Sequence, residues 1–215
     1  MDQRLFFLIN GHWSHPALDL PMAALSSWDF WWPIALVAGV LVAIFGGFRG
    51  RAALVCVALT IGLTDGIVVD SIKNAVHRPR PNQELEHVRM VDLQKARPRF
   101  LAIFQPAKVK WSKPLPGPLR GISFPSGHAS NNFALAVVIA VFYRRWGWLY
   151  FPFAALVSYS RIYVGSHYPS DTLVAMIIGA GVACLVLAAC EALWKKFAGR
   201  VAPRLFAAHP SLFAP

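Results

Sequence analysis

The stretch TLVAMIIGAGVACLVLAACEAL, Thr172 to Leu193, runs for 22 residues with a single charged side chain, Glu191. About 20 mostly apolar residues are needed to cross the hydrocarbon of a bilayer, so this segment reads as a membrane span. Working outward, four more stretches qualify: Trp148 to Tyr163, Asn132 to Tyr143 extended back to Gly127, Ala52 to Val69, and Phe30 to Phe48. The one that begins at Gly127 is the least apolar, because His128, Ser130, Asn131 and Asn132 precede its apolar run. Composition agrees: 56% hydrophobic residues, 14% charged and a mean hydropathy of +0.48 exclude an ordinary soluble domain. The expected fold is all-α, a polytopic membrane helical bundle of about five transmembrane helices.

Residues 1 to 28, with Trp13, Pro16, Pro21 and Trp28, predict short N-terminal helices lying at the interface. Met1 to Asn10 has one Arg and an apolar core of only Leu5 to Ile9, too short for a cleavable signal. Cys56, Cys184 and Cys190 all fall inside spans without metal-ligand or disulfide spacing, and read as packing residues. Small residues at Ala175, Gly179, Gly181 and Ala183 fit close helix packing in lipid, and Trp31, Trp32, Trp146, Trp148 and Trp194 sit near span ends, where aromatic belts form.

The formal charge of +11 needs a partner, and its placement narrows the choice. Five spans put Arg49, Arg51, Arg144, Arg145, Lys195, Lys196, Arg200 and Arg204 on one face, which should be cytoplasmic. The other face receives a long polar segment, residues 74 to 125, rich in Pro (79, 81, 98, 106, 114, 116, 118, 125) and in cations that include Arg89, Lys95, Arg97, Arg99, Lys108, Lys110, Lys113 and Arg120. A naive charge count therefore conflicts with that orientation, and an anion site on the outer face is one explanation. Nucleic acid is not expected, because Phe100, Phe104 and Trp111 are nearly the only aromatics in the basic segment for stacking bases.

Three short segments at span ends on that outer face hold nearly every polar residue that membrane burial makes costly. Lys73-Asn-Ala-Val-His77-Arg78-Pro79-Arg80-Pro81 leaves the second helix, and Pro125-Ser126-Gly127-His128 opens the third. Ser160-Arg161, five residues, His167, three residues and Asp171 join the fourth helix to the fifth. This ordered set resembles the type-2 phosphatidic acid phosphatase family, whose signatures are Lys-x6-Arg-Pro, Pro-Ser-Gly-His and Ser-Arg-x5-His-x3-Asp. The resemblance spans Lys73 to Asp171 by motif and the flanking helices by pattern. It implies one bacterial integral-membrane lipid phosphatase domain over residues 1–215, with residues 74–125 as an active-site loop, no metal or other cofactor, and a lipid phosphate substrate. It also implies His167 as nucleophile and His128 as the acid that protonates the leaving group and later activates water.

Physical chemistry gives the same residues work to do. Phosphoryl transfer spreads negative charge over equatorial oxygens, so catalysis is largely positioning and electrostatic stabilisation. Lys73, Arg80 and Arg161 supply cations, Arg with a fork that matches two phosphate oxygens. Ser126 and Gly127 open a helix whose free N–H groups accept an anion, Ser126 adding a hydroxyl and Gly127 letting the backbone come close. Asp171, four residues after His167, can hold one ring nitrogen protonated while the other attacks phosphorus. Asp70, one turn before Lys73, suits an ion pair that fixes that Lys. Arg78 is open between substrate contact and a solvated or lipid-facing role, Asp65 has no assignment, and His12, His15, His77, His87 and His209 read as interface residues.

The candidate substrates are undecaprenyl diphosphate, phosphatidylglycerophosphate, phosphatidate and lipid A phosphates. A lipid phosphotransferase would use the same intermediate. A vanadate-dependent haloperoxidase shares the anion pocket but is soluble, and an anion transporter would not need a His-Asp pair and a second His. Sequence leaves the oligomeric state open.

Overall fold

The computed structural model describes residues 1–114 and 121–213, the Arg99 side chain excepted; Pro116, Pro118 and Arg120 of the long polar segment lie outside the described residues. About 73% of the described residues are helical. Helix α1 (Asp2–Phe7) runs on in a π-helical turn to His12, followed by α2 (Pro16–Ser26) and α3 (Trp28–Phe45). Next, α4 (Gly47–Leu63) continues through a π-helical stretch, Thr64–Val69, into α5 (Asp70–Val76). The long polar segment then folds as α6 (Pro81–Glu84), strand β1 (Arg89–Asp92), a 3-10 turn (Arg99–Phe104) and strand β2 (Lys108–Trp111). Helices α7 (Gly127–Phe142), α8 (Tyr150–Tyr163), α9 (Pro169–Val201) and α10 (Pro203–Ala208) complete the described chain.

Among the described residues, three helices are long and apolar enough to cross a membrane: Trp28–Phe45, the continuous Gly47–Val76, and Pro169–Val201. The two other expected spans are shorter. Helix α7 has 16 residues and α8 has 14, about 24 and 21 Å at ~1.5 Å per residue, against a hydrocarbon thickness of ~30 Å. Their outer ends are where the polar motifs sit. Helix α3 has no buried residue, and Leu36, Val37, Val40, Leu41 and Ile44 are all exposed on it. A helix apolar on every side and uncovered by protein is built to face lipid.

Two boundaries depart from the sequence expectation. Arg49 and Arg51 lie inside α4, and the reversal between the first two spans occurs instead at Gly46 and Gly47, where Gly47 takes a φ of +59° open mainly to glycine. Charged residues do not end a helix; a left-handed backbone does. Helix α9 begins with Pro169 at its first position and runs 33 residues, well past Leu193, because Lys195, Lys196 and Arg200 prolong it on its charged end without breaking it. Within the polar segment, β1 and β2 pair antiparallel, Arg89 opposite Trp111 and Asp92 opposite Lys108, an ordered hairpin that its proline and lysine content did not announce.

Two apolar cores hold the chain together. In the bundle, Ala53 and Cys56 of α4 meet Ala134, Val138 and Phe142 of α7 and Ala183 and Leu187 of α9. The spacing of four along α7 and α9 lays one ridge of each helix into a groove of the other. A Cβ at Gly179 would collide with the Ser130 carbonyl, so the backbones touch there, whereas Gly181 faces open space. The small-residue stripe thus splits: Ala175, Gly179 and Ala183 make the contact and Gly181 does not.

The second core lies at the motif end. Phe6, Ile9, Met22 and Ala23 of the N-terminal helices pack with Val88, Val91, Tyr163, Val164 and Tyr168. Buried Asn10 pins this arrangement: its amide donates to the Arg89 carbonyl at 2.8 Å and the Tyr163 carbonyl at 2.7 Å, and its oxygen accepts from the Arg89 N–H at 2.9 Å. The N-terminal helices therefore clamp the hairpin onto the α8–α9 connection, which carries the third motif.

Gly179→Ala should separate α7 from α9 and lower Tm in detergent by about 5 °C or more, as expected of overpacking at ~1–3 kcal/mol. Gly181→Ala should leave Tm nearly unchanged. Equal effects from the two substitutions, read by intrinsic fluorescence during a thermal ramp, would contradict this packing.

Candidate active site

The first motif is shaped by how α5 ends. Lys73 sits in its last turn with Nζ 3.4 Å from Asp70 Oδ1, the ion pair expected from their spacing. His77 takes a left-handed conformation, φ 52°, and Pro79 and Pro81 prevent the helix from resuming. Beyond it Arg78 reaches Asp171, at 2.7 Å, and Arg80 lies against Gly121. Pro79 bridges Ile122 antiparallel, and the Arg78 carbonyl accepts from the Ser123 N–H at 2.8 Å. Arg80 packs over Gly121, where a Cβ would lie 3.3 Å from the guanidinium carbon and φ is +145°. Glycine is what lets that guanidinium come so near the backbone.

The second motif starts α7. Ser126 is its N-cap, is fully buried, and donates its N–H to the Asp171 carbonyl at 3.2 Å. A Cβ on Gly127 would stand 3.0 Å from Asp65 Oδ1 and 4.0 Å from Lys73 Nζ. The bare backbone thus admits Lys73 to the first turn of α7, and the π-helical stretch of the second span brings Asp65 to the same place.

The third motif follows α8. His167 is buried, with Nδ1 2.7 Å from the Ser123 carbonyl oxygen. A carbonyl only accepts, so Nδ1 carries the proton and Nε2 holds the lone pair. Asp171 Oδ2 stands 3.7 Å from the same nitrogen, beyond hydrogen-bond range. The expectation that Asp171 holds the ring proton directly is therefore corrected: Ser123 does so, and Asp171 adds charge from behind. Burial pushes His167 down to about 4, with Asp171 pulling it back up and the charges of Arg161 and Arg80 pressing it lower. At neutral pH the ring is uncharged.

Asp171 itself is wholly buried. Taking a carboxylate out of water costs several kcal/mol unless partners replace the solvent. Its Oδ1 accepts from Arg78 Nη1 at 2.7 Å; its Oδ2 accepts from the Tyr168 N–H at 2.8 Å and from the Ser123 hydroxyl. Arg78 also bonds Asp2 at 2.7 Å and Ser170 at 2.7 Å, and lies 4.1 Å over the Tyr168 ring. Arg78 is thus engaged by the protein, with part of its side chain still exposed. Sequence reasoning left Arg78 open and missed Ser123 and Asp2; Ser123 works partly through its carbonyl, which any residue has, and Asp2 is distant in sequence from its partners Arg78 and Ser170.

The sequence-selected residues meet around His128. The charges of Arg161, Arg80 and Lys73 and the His167 ring all act on it. Among the buried polar atoms of the described residues without a hydrogen-bond partner are Arg80 Nε, Ser126 Oγ, His128 Nε2 and Arg161 Nε, all on motif residues. Most buried polar atoms in proteins are satisfied, so unsatisfied ones on residues of all three motifs suit a ligand rich in acceptors. Arg161 is held from its other side by Nη1 bonds to the Ser26 carbonyl, at 2.8 Å, and the Ser26 hydroxyl. The described residues contain no group of three or more His, Cys, Asp or Glu side chains placed to hold a metal ion. An apolar groove of about 470 Å³, lined by Trp28, Trp31, Ala38, Leu135 and Phe153, opens between α3, α7 and α8 and reaches His128.

Residues 51–195 match the PAP2 superfamily. The chain belongs to this superfamily. A lipid A 4'-phosphatase of Bacteroides thetaiotaomicron is 31% identical over 185 residues, 83% of this chain and 72% of that one. Undecaprenyl-diphosphatase BcrC of Bacillus subtilis is 43% identical over 61 residues, 26% of this chain and 32% of that protein. The crystal structure of Aquifex aeolicus LpxE superposes with a TM-score of 0.59 at 26% identity, covering 87% of this chain and 94% of that one. All three PAP2 motifs fall inside the matched residues.

Arg78→Ala should strand the Asp171 carboxylate and lower stability by roughly 2–3 kcal/mol, less than a fully buried pair because Arg78 keeps some solvent contact. Turnover of a lipid phosphate should fall with it, and Arg78→Lys should recover only part of each, since one ammonium cannot reach Asp2, Ser170 and Asp171 in the same planar way. Unchanged Tm and kcat in Arg78→Ala would show that the pair is idle.

Proposed function

We propose that this membrane protein is a lipid phosphatase that hydrolyses a phosphomonoester or diphosphate of a lipid through a phosphohistidine at His167, without a metal. The observation that supports this best is the set of four unpartnered donors, Arg80 Nε, Ser126 Oγ, His128 Nε2 and Arg161 Nε, around a neutral imidazole. Phosphate oxygens would satisfy all of them at once. Lys73 and the first N–H groups of α7 add to the same field.

The chemistry closes in two steps. His167 Nε2 attacks phosphorus, the bond from phosphorus to the lipid oxygen breaks, and His128 gives that oxygen a proton. Water then attacks the phosphohistidine, His128 takes its proton, and the N–P bond breaks to release inorganic phosphate. The Ser123 carbonyl, on the Nδ1 proton, and Asp171 behind it stabilise the cationic imidazole between the steps.

The groove that ends at His128 supports a lipid substrate, because an alkyl chain lying between α3 and α8 would bring its phosphate to the donors from within the bilayer. The match to a lipid A 4'-phosphatase over most of the chain favours a lipid A phosphate. Undecaprenyl diphosphate is the second reading, supported by the identity with BcrC over a shorter stretch. The cations of Arg49, Arg51, Arg144, Arg145, Lys195 and Lys196 at the far ends of the spans favour an active site facing the periplasm from the inner membrane of a bacterium.

Purified protein in detergent with EDTA should release inorganic phosphate from at least one of lipid A, undecaprenyl diphosphate, phosphatidylglycerophosphate and phosphatidate. His167→Ala should lower kcat by about 10³-fold or more with Tm little changed. Retained turnover in His167→Ala, or activity that appears only when a divalent metal is added, would overturn the proposal.

A further inference from the structure

A second hollow, of about 280 Å³, borders Arg161 and is distinct from the apolar groove. Its polar lining comes from Ser26 and Ser27 at the turn between α2 and α3, Asn82 in α6, Asp92 at the end of β1, and Ser166. Its position is set by the motifs: Asn82 is two residues past Arg80, Ser166 immediately precedes His167, and Arg161 is shared with the phosphate donors. A molecule whose phosphate lay against Arg80 and Arg161 would have the atoms next to that phosphate within reach of this hollow.

The lining selects a chemistry. Asn82 Oδ1 is buried and has no partner among the described residues, and its Nδ2 meets only the Met90 sulfur at 3.4 Å, a weak acceptor. An alkyl or prenyl chain in contact with that amide would leave it without solvent or partner, at ~1–3 kcal/mol, and would offer nothing to the Asp92 carboxylate, whose Oδ1 accepts from the Leu93 N–H at 2.8 Å. A second phosphate would meet the Asp92 carboxylate, whose charge already acts on Arg161. A hydroxyl group both donates and accepts, and so satisfies amide, carboxylate and serines together.

We infer that this hollow is a head-group subsite, and that the scissile phosphate is borne by a hydroxyl-rich head, a sugar or a glycerol, in preference to a bare prenyl or diacylglycerol carrier. The inference rests on the lipid phosphatase reading and deepens it. Asn82 and the Asp92 carboxylate are its specificity-determining groups, Asn82 as donor and acceptor and Asp92 as acceptor for head-group hydroxyls. The apolar groove at His128 then receives the tails, and the two hollows divide the substrate between them.

The test measures kcat/KM in mixed micelles for lipid A, phosphatidylglycerophosphate, phosphatidate and undecaprenyl phosphate, with wild type, Asn82→Leu and Asp92→Asn. Wild type should prefer one of the two hydroxyl-bearing lipids. The ratio of its kcat/KM to that for phosphatidate should fall about 10-fold in Asn82→Leu, the loss of one or two hydrogen bonds, mainly through KM. Asp92→Asn should move the ratio in the same direction and guards against an Asn82 variant that does not fold. Which lipid, lipid A or phosphatidylglycerophosphate, shows the dependence names the head as sugar or glycerol. A ratio unmoved by both substitutions, or a wild-type preference for phosphatidate or undecaprenyl phosphate, overturns the subsite while leaving the phosphatase intact. Hydrolysis of none of the four, and of undecaprenyl diphosphate neither, overturns both.

Discussion

A carboxylate with no access to water, Asp171, is the constraint around which the motif end is organised. Its charge must be met by protein, and the partners that meet it come from separated parts of the chain: Arg78 from the end of the second span, Ser123 from the approach to α7, and the Tyr168 N–H from its own helix start. Each partner brings a functional neighbour along. Arg78 is two residues from Arg80, Ser123 is three from Ser126 and presents its carbonyl to His167, and the Asp171 carbonyl itself takes the Ser126 N–H. Satisfying one buried charge therefore sets the geometry of all three motifs. The ring that results is neutral and fixed in one tautomer, with the lone pair on Nε2.

The bundle and the cap divide the remaining work. Contact of α7 with α9 at Gly179 and Ser130 fixes the helix whose first turn carries Ser126, Gly127 and His128. The N-terminal helices, through Phe6, Ile9 and the Asn10 amide, hold the hairpin and the α8–α9 connection in place from the other side. Asp2 extends this grip to Arg78. Helix α3 meets the motif-end core through Phe30 yet has no buried residue, which leaves room for an apolar groove between it, α7 and α8 that reaches His128.

Much of this was legible in the sequence, for identifiable reasons. Long apolar runs such as Thr172 to Leu193 leave little alternative to a membrane helix, and the bundle followed from them. The residues proposed for the site stood out because cations and imidazoles at span ends are costly and occur at fixed intervals. The second span was misjudged at Arg49 and Arg51 because hydropathy registers charge, whereas the helix start is set by Gly47 backbone conformation. The hairpin of Arg89–Asp92 with Lys108–Trp111 was hidden because its pairing is long-range and its outer strand is exposed along its length. Arg78 was ambiguous because its partner, Asp171, is distant in sequence, and Ser123 was invisible because its main contribution to His167 is a backbone carbonyl.

The central claim is that Arg80, Ser126, His128, Arg161 and His167 surround one phosphate-sized site. An experimental structure of the detergent-solubilised protein with orthovanadate tests it most directly. The account expects vanadium within bonding distance of His167 Nε2, its oxygens bonded to Arg80, Arg161, Ser126 and His128, with Nδ1 still on the Ser123 carbonyl. Vanadate bound elsewhere, or His167 turned away from those four side chains, would contradict it.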